Sequence, residues 1–100
     1  MFVIVDKSND SIHQEPTRPS WKTGYYKSIG AAKAGITRTI KFYEKAVADV
    51  EEKVANGEKE YSSRMYNAYR DATDPDLGRT HLADRDNYRV MSSEEYALIE

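Results

Sequence analysis

The stretch of sequence that decides the fold is residues 28–57, which read SIGAAKAGITRTIKFYEKAVADVEEKVANG. Ser28 is a residue type that caps helix N-termini, and Asn56-Gly57 supplies a left-handed stop at the other end. Between them, apolar residues recur at steps of three and four, the period of an amphipathic helix. We call them the apolar stripe: Ile29, Ala32, Ile36, Ile40, Tyr43, Val47, Val50 and Val54. One helix over about 28–56 is therefore predicted.

This helix is longer than a small sheet can cover. At 1.5 Å per residue it is about 40 Å long, whereas a short strand spans about 15 Å. We expect the first half of the stripe, Ile29 to Ile40, to form core. The distal half, Tyr43 to Val54, then packs on a second helix, on a symmetry mate or on a partner. Phe42 lies off the stripe and has no expected neighbour within the chain.

A second helix is predicted over about 58–73, where apolar residues again follow helical spacing, and Asp74-Pro75 ends it. Because the Asn56-Gly57 break is short, an antiparallel helical hairpin over 28–73 is favoured. A continuous helix through Gly57 is the alternative.

The flanking segments predict a small sheet. Phe2-Val3-Ile4-Val5 is wholly apolar and indicates a buried central strand, while 21–27 and 88–91 are predicted to be two further strands. Residues 74–87 are rich in turn formers and predict a loop.

Ser92 and Glu95 have capping-box spacing, which favours a terminal helix over about 93–99, although a continued strand is possible. The fold class is therefore α+β: a three-stranded antiparallel sheet, formed by 1–27 and 88–100, carries a protruding helical hairpin. At 100 residues, the chain is expected to be a single domain.

Composition excludes several classes. There is no cysteine, so disulfide frameworks and thiolate metal sites are ruled out. The short apolar run after Met1 lacks the features of a signal peptide, and no apolar stretch approaches the roughly 20 residues of a membrane span. We expect a soluble, cytoplasmic setting. The net charge of −2 gives no overall attraction to nucleic acid.

An acidic cluster near His81 invites a metal interpretation, but a calcium loop beginning at Asp74 would place Gly78 and Arg85 at ligand positions. Aspartate is ordinary in turns, so no metal and no cofactor are expected. The cluster consists of Asp74, Asp76, Asp84 and Asp86. The chain also lacks a Gly-x-Ser-x-Gly turn and a phosphate-binding glycine loop, and we expect no enzyme.

Two binding functions remain. The leading one is a non-catalytic protein-binding module that acts through the hairpin, because its residues have an interface-like composition. The candidate contacts are Phe42, Tyr43, Val47, Val50, Arg64, Tyr66, Tyr69 and Arg70. A separate, third interpretation is a structural homo-oligomer closed through the apolar stripe of 29–54.

The alternative is nucleic-acid binding. Aromatic and basic residues alternate along one predicted strand, as on surfaces that stack bases and neutralise phosphates. These residues are Trp21, Lys22, Tyr25, Tyr26 and Lys27. The segment from Arg64 to Arg70 repeats the pairing on the second helix.

Residues 24–38, GYYKSIGAAKAGITR, together with Phe2 to Asp6 ahead and Tyr88 to Tyr96 behind, resemble small accessory proteins of tailed bacteriophages. Those proteins often show a strand, a Tyr-Lys-Ser-x-Gly-Ala-Ala-Lys step into a helix, and a closing Tyr-x-Val-Met-Ser strand. Residues 42–86 depart from the pattern. The resemblance implies a viral, non-enzymatic protein that acts on host machinery in the host cytoplasm, for example by inhibiting a host protein. It assigns no functional residue.

Overall fold

The structure is a computed structural model that describes residues 1–16 and 24–99. Its elements are β1 (Phe2–Asp6), β2 (Ser11–Ile12), β3 (Tyr25–Tyr26), α1 (Ile29–Ala55), α2 (Ser63–Thr73), β4 (Tyr88–Ser92) and α3 (Ser93–Leu98). The predicted α+β class is confirmed. The segment between α2 and β4 was predicted to be loop, but it contains three short 3₁₀ turns, Pro75–Leu77, Thr80–Ala83 and Arg85–Asn87.

The sheet is centred on β1. Strand β4 pairs with it antiparallel along one whole edge, from Phe2 opposite Ser92 to Asp6 opposite Tyr88. The other edge is shared, with β3 beside the first half of β1 and β2 beside the second half. The prediction of three strands is therefore wrong, since the described residues form four. The tight turn after β1, in which the Asp10 amide donates to the Asp6 carbonyl at 2.8 Å, returns the chain to β1 at once and creates β2.

The two faces of β1 are both covered. Ile4 faces α1, in a core with Tyr26, Ala32, Ile36 and Tyr88. Because side chains alternate along a strand, Val3 and Val5 point to the other face, and both are fully buried. Helix α3 contacts β1 and β4, and the Tyr96 hydroxyl donates to the Asp10 carbonyl at 2.9 Å. The buried central strand and the terminal helix are confirmed.

Local capping explains the limits of the two long helices. The Ser28 hydroxyl accepts from the Ala31 amide at 3.1 Å, and Gly57 ends α1 with a φ of +76°. The hairpin is therefore confirmed and a continuous helix is not formed. Helix α2 begins at Ser63 rather than near residue 58, because Ser62 caps it and residues 58–61 carry the chain back towards α1.

The buried face of α1 differs from the apolar stripe. Its buried residues are Ala32, Gly35, Ile36, Thr39, Tyr43, Ala46 and Val50. Ile40 and Val47 are only half-buried, and Ile29 and Val54, at the two ends, are exposed. The buried face of α1 contains more small side chains than the apolar stripe does, because small side chains allow the sheet and α2 to approach α1 closely. The Thr39 hydroxyl is satisfied by the Gly35 carbonyl at 3.0 Å.

The distal half of α1 packs inside its own chain. Tyr43 and Ala46 form a second core with Ala68 of α2, and Leu82 and Ala83 from a 3₁₀ turn pack around it. The molecule is accordingly elongated, with extents of 50 × 25 × 21 Å. The distal half of the apolar stripe was expected to pack on a second helix, on a symmetry mate or on a partner. The structure shows that it packs on the second helix.

Gly35 lies where α1 comes closest to the sheet. A Cβ there would lie 2.8 Å from the Tyr26 hydroxyl, 2.9 Å from Glu15 Oε2 and 3.0 Å from Ile4 Cδ1. These three neighbours are themselves packed in the core, so they cannot withdraw into solvent. Glycine is therefore required at position 35, because there is no room for a Cβ atom.

The substitution Gly35→Ala is therefore expected to lower the free energy of unfolding by about 1–3 kcal/mol, the usual cost of overpacking. Gly30→Ala is the matched control, because only the Ser28 hydroxyl, at 4.0 Å, lies near its added Cβ. Helix propensity alone should then stabilise the protein by up to about 1 kcal/mol. Urea denaturation measures the free energy of unfolding of both variants. Stabilisation by Gly35→Ala would contradict the close approach.

His13 is enclosed between α1 and β4. Its Nε2 lies 3.0 Å from the Thr39 hydroxyl, and its ring centroid lies 4.7 Å from that of Tyr88. Burial lowers the pKa of His13, and the attraction of Asp6 and Glu15 only partly counters this.

Because the pKa of His13 is lower in the folded state, the unfolded chain takes up the proton first as the pH falls. The free energy of unfolding should therefore decrease from about pH 7.5 to about pH 5.5. His13→Gln, which does not titrate, should remove most of this decrease. Urea denaturation across this range tests the assignment. A decrease that persists in full in His13→Gln would contradict it.

Candidate functional site

A groove of about 580 Å³ runs along the contact between α1 and α2. Helix α1 provides Arg38, Lys41, Phe42, Lys45, Ala46 and Asp49, and the α2 side provides Ser62, Arg64 and Met65. We call it the basic groove, because four of these residues are cationic and Asp49 is the only carboxylate among the described residues that line it. Phe42, Ala46 and Met65 supply its apolar surface.

The basic side of the groove follows from the period of α1. Arg38, Lys41 and Lys45 are spaced by three and four residues, so they form one row. Lys41 and Lys45 are exposed, and neither forms an ion pair with any residue of 1–16 or 24–99. Like charges at this spacing weakly oppose each other on a helix. The row thus presents two ammonium groups that have no ion-pair partner in residues 1–16 or 24–99.

Arg38 is held at one end of the groove by a buried carboxylate. Its Nε donates to Glu15 Oε1 at 2.7 Å and its Nη2 donates to Oε2 at 3.1 Å, while the Tyr26 hydroxyl also donates to Oε2. Glu15 is only 3% exposed. The hydrogen bonds with Glu15 raise the pKa of Arg38. This bidentate pair joins the segment after β2 to α1.

Arg64 and Phe42 meet across the groove. The Arg64 guanidinium carbon lies 5.6 Å from the centroid of the Phe42 ring, a cation–π contact, and Nη2 donates to the Pro16 carbonyl at 2.5 Å. The Phe42 ring also meets Tyr43 edge-on at 5.3 Å. The expectation that Phe42 has no neighbour within the chain is wrong, because α2 returns alongside it.

The outer face of the hairpin carries a row of stacked rings, which we call the tyrosine row. Tyr66 stacks with Tyr61 at a centroid distance of 5.5 Å and an interplanar angle of 8°. It also stacks with Tyr69 at 6.2 Å and 29°. Tyr66 is exposed. Arg70, on the same helix, is paired with Asp74 at 3.3 Å.

The structure divides the predicted partner contacts between the surface of the hairpin and its core. Phe42 and Arg64 lie in or beside the basic groove, and Tyr66 and Tyr69 lie in the tyrosine row. Tyr43 and Val50 are buried, so they are corrected from contact residues to core residues. Val47 is half-buried and lies away from the groove, in a depression lined also by Glu44 and Glu51.

The residues predicted for nucleic-acid binding are also divided. Trp21 and Lys22 lie outside the described residues. Of the predicted strand 21–27, the described part forms strand only at Tyr25–Tyr26. Tyr25 and Lys27 are exposed, but Tyr26 is buried with its hydroxyl on Glu15, so it is not available to stack a base. Strand aromatics of this kind are often core, and Tyr26 is one of them.

One polar cluster was not predicted from the sequence. Asp6 accepts hydrogen bonds from the Ser8 amide at 2.9 Å and hydroxyl at 2.6 Å, and His81 Nε2 lies 3.3 Å from that hydroxyl. Burial alone would raise the pKa of Asp6, but the hydrogen bonds from Ser8 and Asn87 and the nearby His81 outweigh it and lower the pKa. Asp6 and Ser8 approach the same imidazole nitrogen, unlike a catalytic triad, in which the carboxylate holds the opposite one. The cluster holds the turn after β1.

Two of the four aspartates of 74–86 act as caps. Asp74 Oδ1 accepts from the Asp76 amide at 3.0 Å, and Asp84 Oδ1 accepts from the Asp86 amide at 2.9 Å. In the described ranges, no group of three or more His, Asp or Glu side chains is arranged to hold a metal ion. Nor does any helix of those ranges combine the length and apolar character needed to cross a membrane.

Comparisons of the chain with protein-family models, with curated proteins and with solved structures found no match. Function is therefore inferred from the surface of the hairpin.

Proposed function

We propose that the protein is a non-catalytic protein-binding module that contacts its partner through the outer surface of the α1–α2 hairpin. The observation that carries the proposal is the tyrosine row, in which Tyr66 is exposed and stacked with Tyr61 and Tyr69. Tyrosine is enriched among the residues that dominate binding energy at protein interfaces. Rings already ordered by stacking also lose little conformational entropy when a partner binds.

The packing beneath the outer surface of the hairpin also favours a protein-binding function. Tyr43 and Ala46 pack against Ala68 within the chain, so the hairpin does not need a partner to complete its core. Its outer side chains are therefore presented by a preorganised pair of helices. Preorganised surfaces bind more tightly because less order has to be imposed on binding.

Two other functions fit less well. A homo-oligomer closed through the apolar stripe would need Tyr43 and Val50 at its interface, yet both are buried within one chain. A nucleic-acid role for the tyrosine row would need ring faces on which bases could stack, and Tyr66 already stacks with two tyrosines. Inhibition of a host protein is the form of protein binding that the phage resemblance implies.

The proposal predicts that Tyr66→Asp removes partner capture. The immobilised full-length chain is incubated with a nuclease-treated bacterial lysate, and captured proteins are quantified by mass spectrometry. Loss of an interface anchor costs about 2 kcal/mol or more, so capture should fall by at least about tenfold.

Leu98→Asp is the matched control, because Leu98 is 86% exposed and α3 contacts the sheet. This variant introduces the same charge away from the hairpin and should retain the captured proteins. Equal capture by the wild type and both variants would contradict the proposal. A parallel capture from untreated lysate separates the alternative, since proteins captured only from the untreated lysate would support nucleic-acid binding instead.

A further inference from the structure

The charge of the basic groove is not balanced within the described chain. Arg38 is engaged by Glu15 and Arg64 by the Pro16 carbonyl, but Lys41 and Lys45 have no ion-pair partner among the described residues. The protein as a whole carries a net charge of −2, so this is a local reversal of sign. A ligand that carries carboxylates or phosphates would complement it.

The apolar surface of the groove distinguishes between these two kinds of anion. Proteins that bind single-stranded nucleic acids commonly present exposed aromatic rings on which the bases stack. The Phe42 ring is half-buried, with the Arg64 guanidinium over it at 5.6 Å from the centroid and Tyr43 edge-on at 5.3 Å, so the ring surface left for stacking a base is reduced. Met65, which is half-buried, instead presents aliphatic surface. At about 580 Å³, the groove is large enough to accept an apolar side chain with its backbone.

Size alone does not single out this groove. A depression of about 570 Å³ lies between β4 and the start of α1. Its cations, which include Lys7 and Lys33, are interleaved with the carboxylates of Asp86 and Glu95. The basic groove is distinguished by four cationic side chains against one carboxylate, beside an apolar floor. The second depression serves as an internal control.

We infer that the basic groove binds an acidic segment of a partner protein, with carboxylates on Lys41 and Lys45 and an apolar side chain packed against Met65. A segment laid between two helices in this way is a recurring mode of peptide recognition. The inference rests on the proposed protein-binding function and names the chemistry of the partner.

The test begins with a library of short random peptides selected for binding to the full-length protein. Selected peptides should be enriched in Asp and Glu together with Leu, Ile or Phe.

The peptide that binds most tightly is then labelled, and its affinity is measured by fluorescence anisotropy. For the double variant Lys41→Glu/Lys45→Glu, affinity should fall by about tenfold or more. Lys7→Glu/Lys33→Glu changes the net charge equally and should lower affinity by no more than about threefold. Circular dichroism checks that both variants are folded.

Three results would overturn the inference: selected peptides with no acidic enrichment, equal losses in the two double variants, or full affinity in Met65→Gln. Oligothymidine that binds in competition with the peptide, and more tightly, would assign the groove to nucleic acid and also overturn it. If no acidic peptide is selected while Tyr66-dependent capture persists, the inference fails and the proposed function stands. If capture is unaffected by Tyr66→Asp, the proposed function fails whatever the peptides show.

Discussion

The constraint on which the rest of the structure depends is the length of α1. Its 27 residues span about 40 Å, whereas the five residues of β1 span about 17 Å, so more than half of the helix projects beyond the sheet. Most of the apolar face of an amphipathic helix has to be removed from water, although Ile29 and Val54 at its two ends stay exposed here. The second half of the chain meets this need: α2 folds back on Tyr43 and Ala46, and the 3₁₀ turns add Leu82 and Ala83. The hairpin, its outer face and the basic groove all follow from this covering.

The buried carboxylate of Glu15 joins the segment after β2 to α1. Glu15 is enclosed beside Gly35, at the closest approach of helix and sheet, and its carboxylate is shared by Tyr26 and Arg38. A carboxylate in such a place is tolerated because strong hydrogen bonds replace those to water. One consequence is structural, since the segment after β2 is held on α1. The other bears on binding, because Arg38 is held in place at the end of the basic groove, beside the freely exposed Lys41.

Signals local in sequence predicted much of this fold, and long-range contacts account for what they missed. Ser28 and Gly57 predicted the limits of α1 because capping acts within one turn. The division of one sheet edge into β2 and β3 depends on tertiary pairing, which no local pattern records. Counting only apolar residues also overlooked Thr39, whose hydroxyl is satisfied within its own helix. At the candidate site, Phe42 and Arg64 were predicted. Lys41 and Lys45 were missed, although the basic row beside Phe42 was visible in the sequence.

The central claim is that the distal half of α1 is covered by α2 of the same chain. Native-state hydrogen exchange tests it most directly, because amides in a packed helix exchange only when that packing opens. The account predicts that amides of 41–50 are protected to a similar degree as those of 31–40, and that this protection does not change on dilution. Distal amides that exchange as fast as those of an isolated helix would contradict it. So would protection that rises with protein concentration, since a second chain would then be the cover.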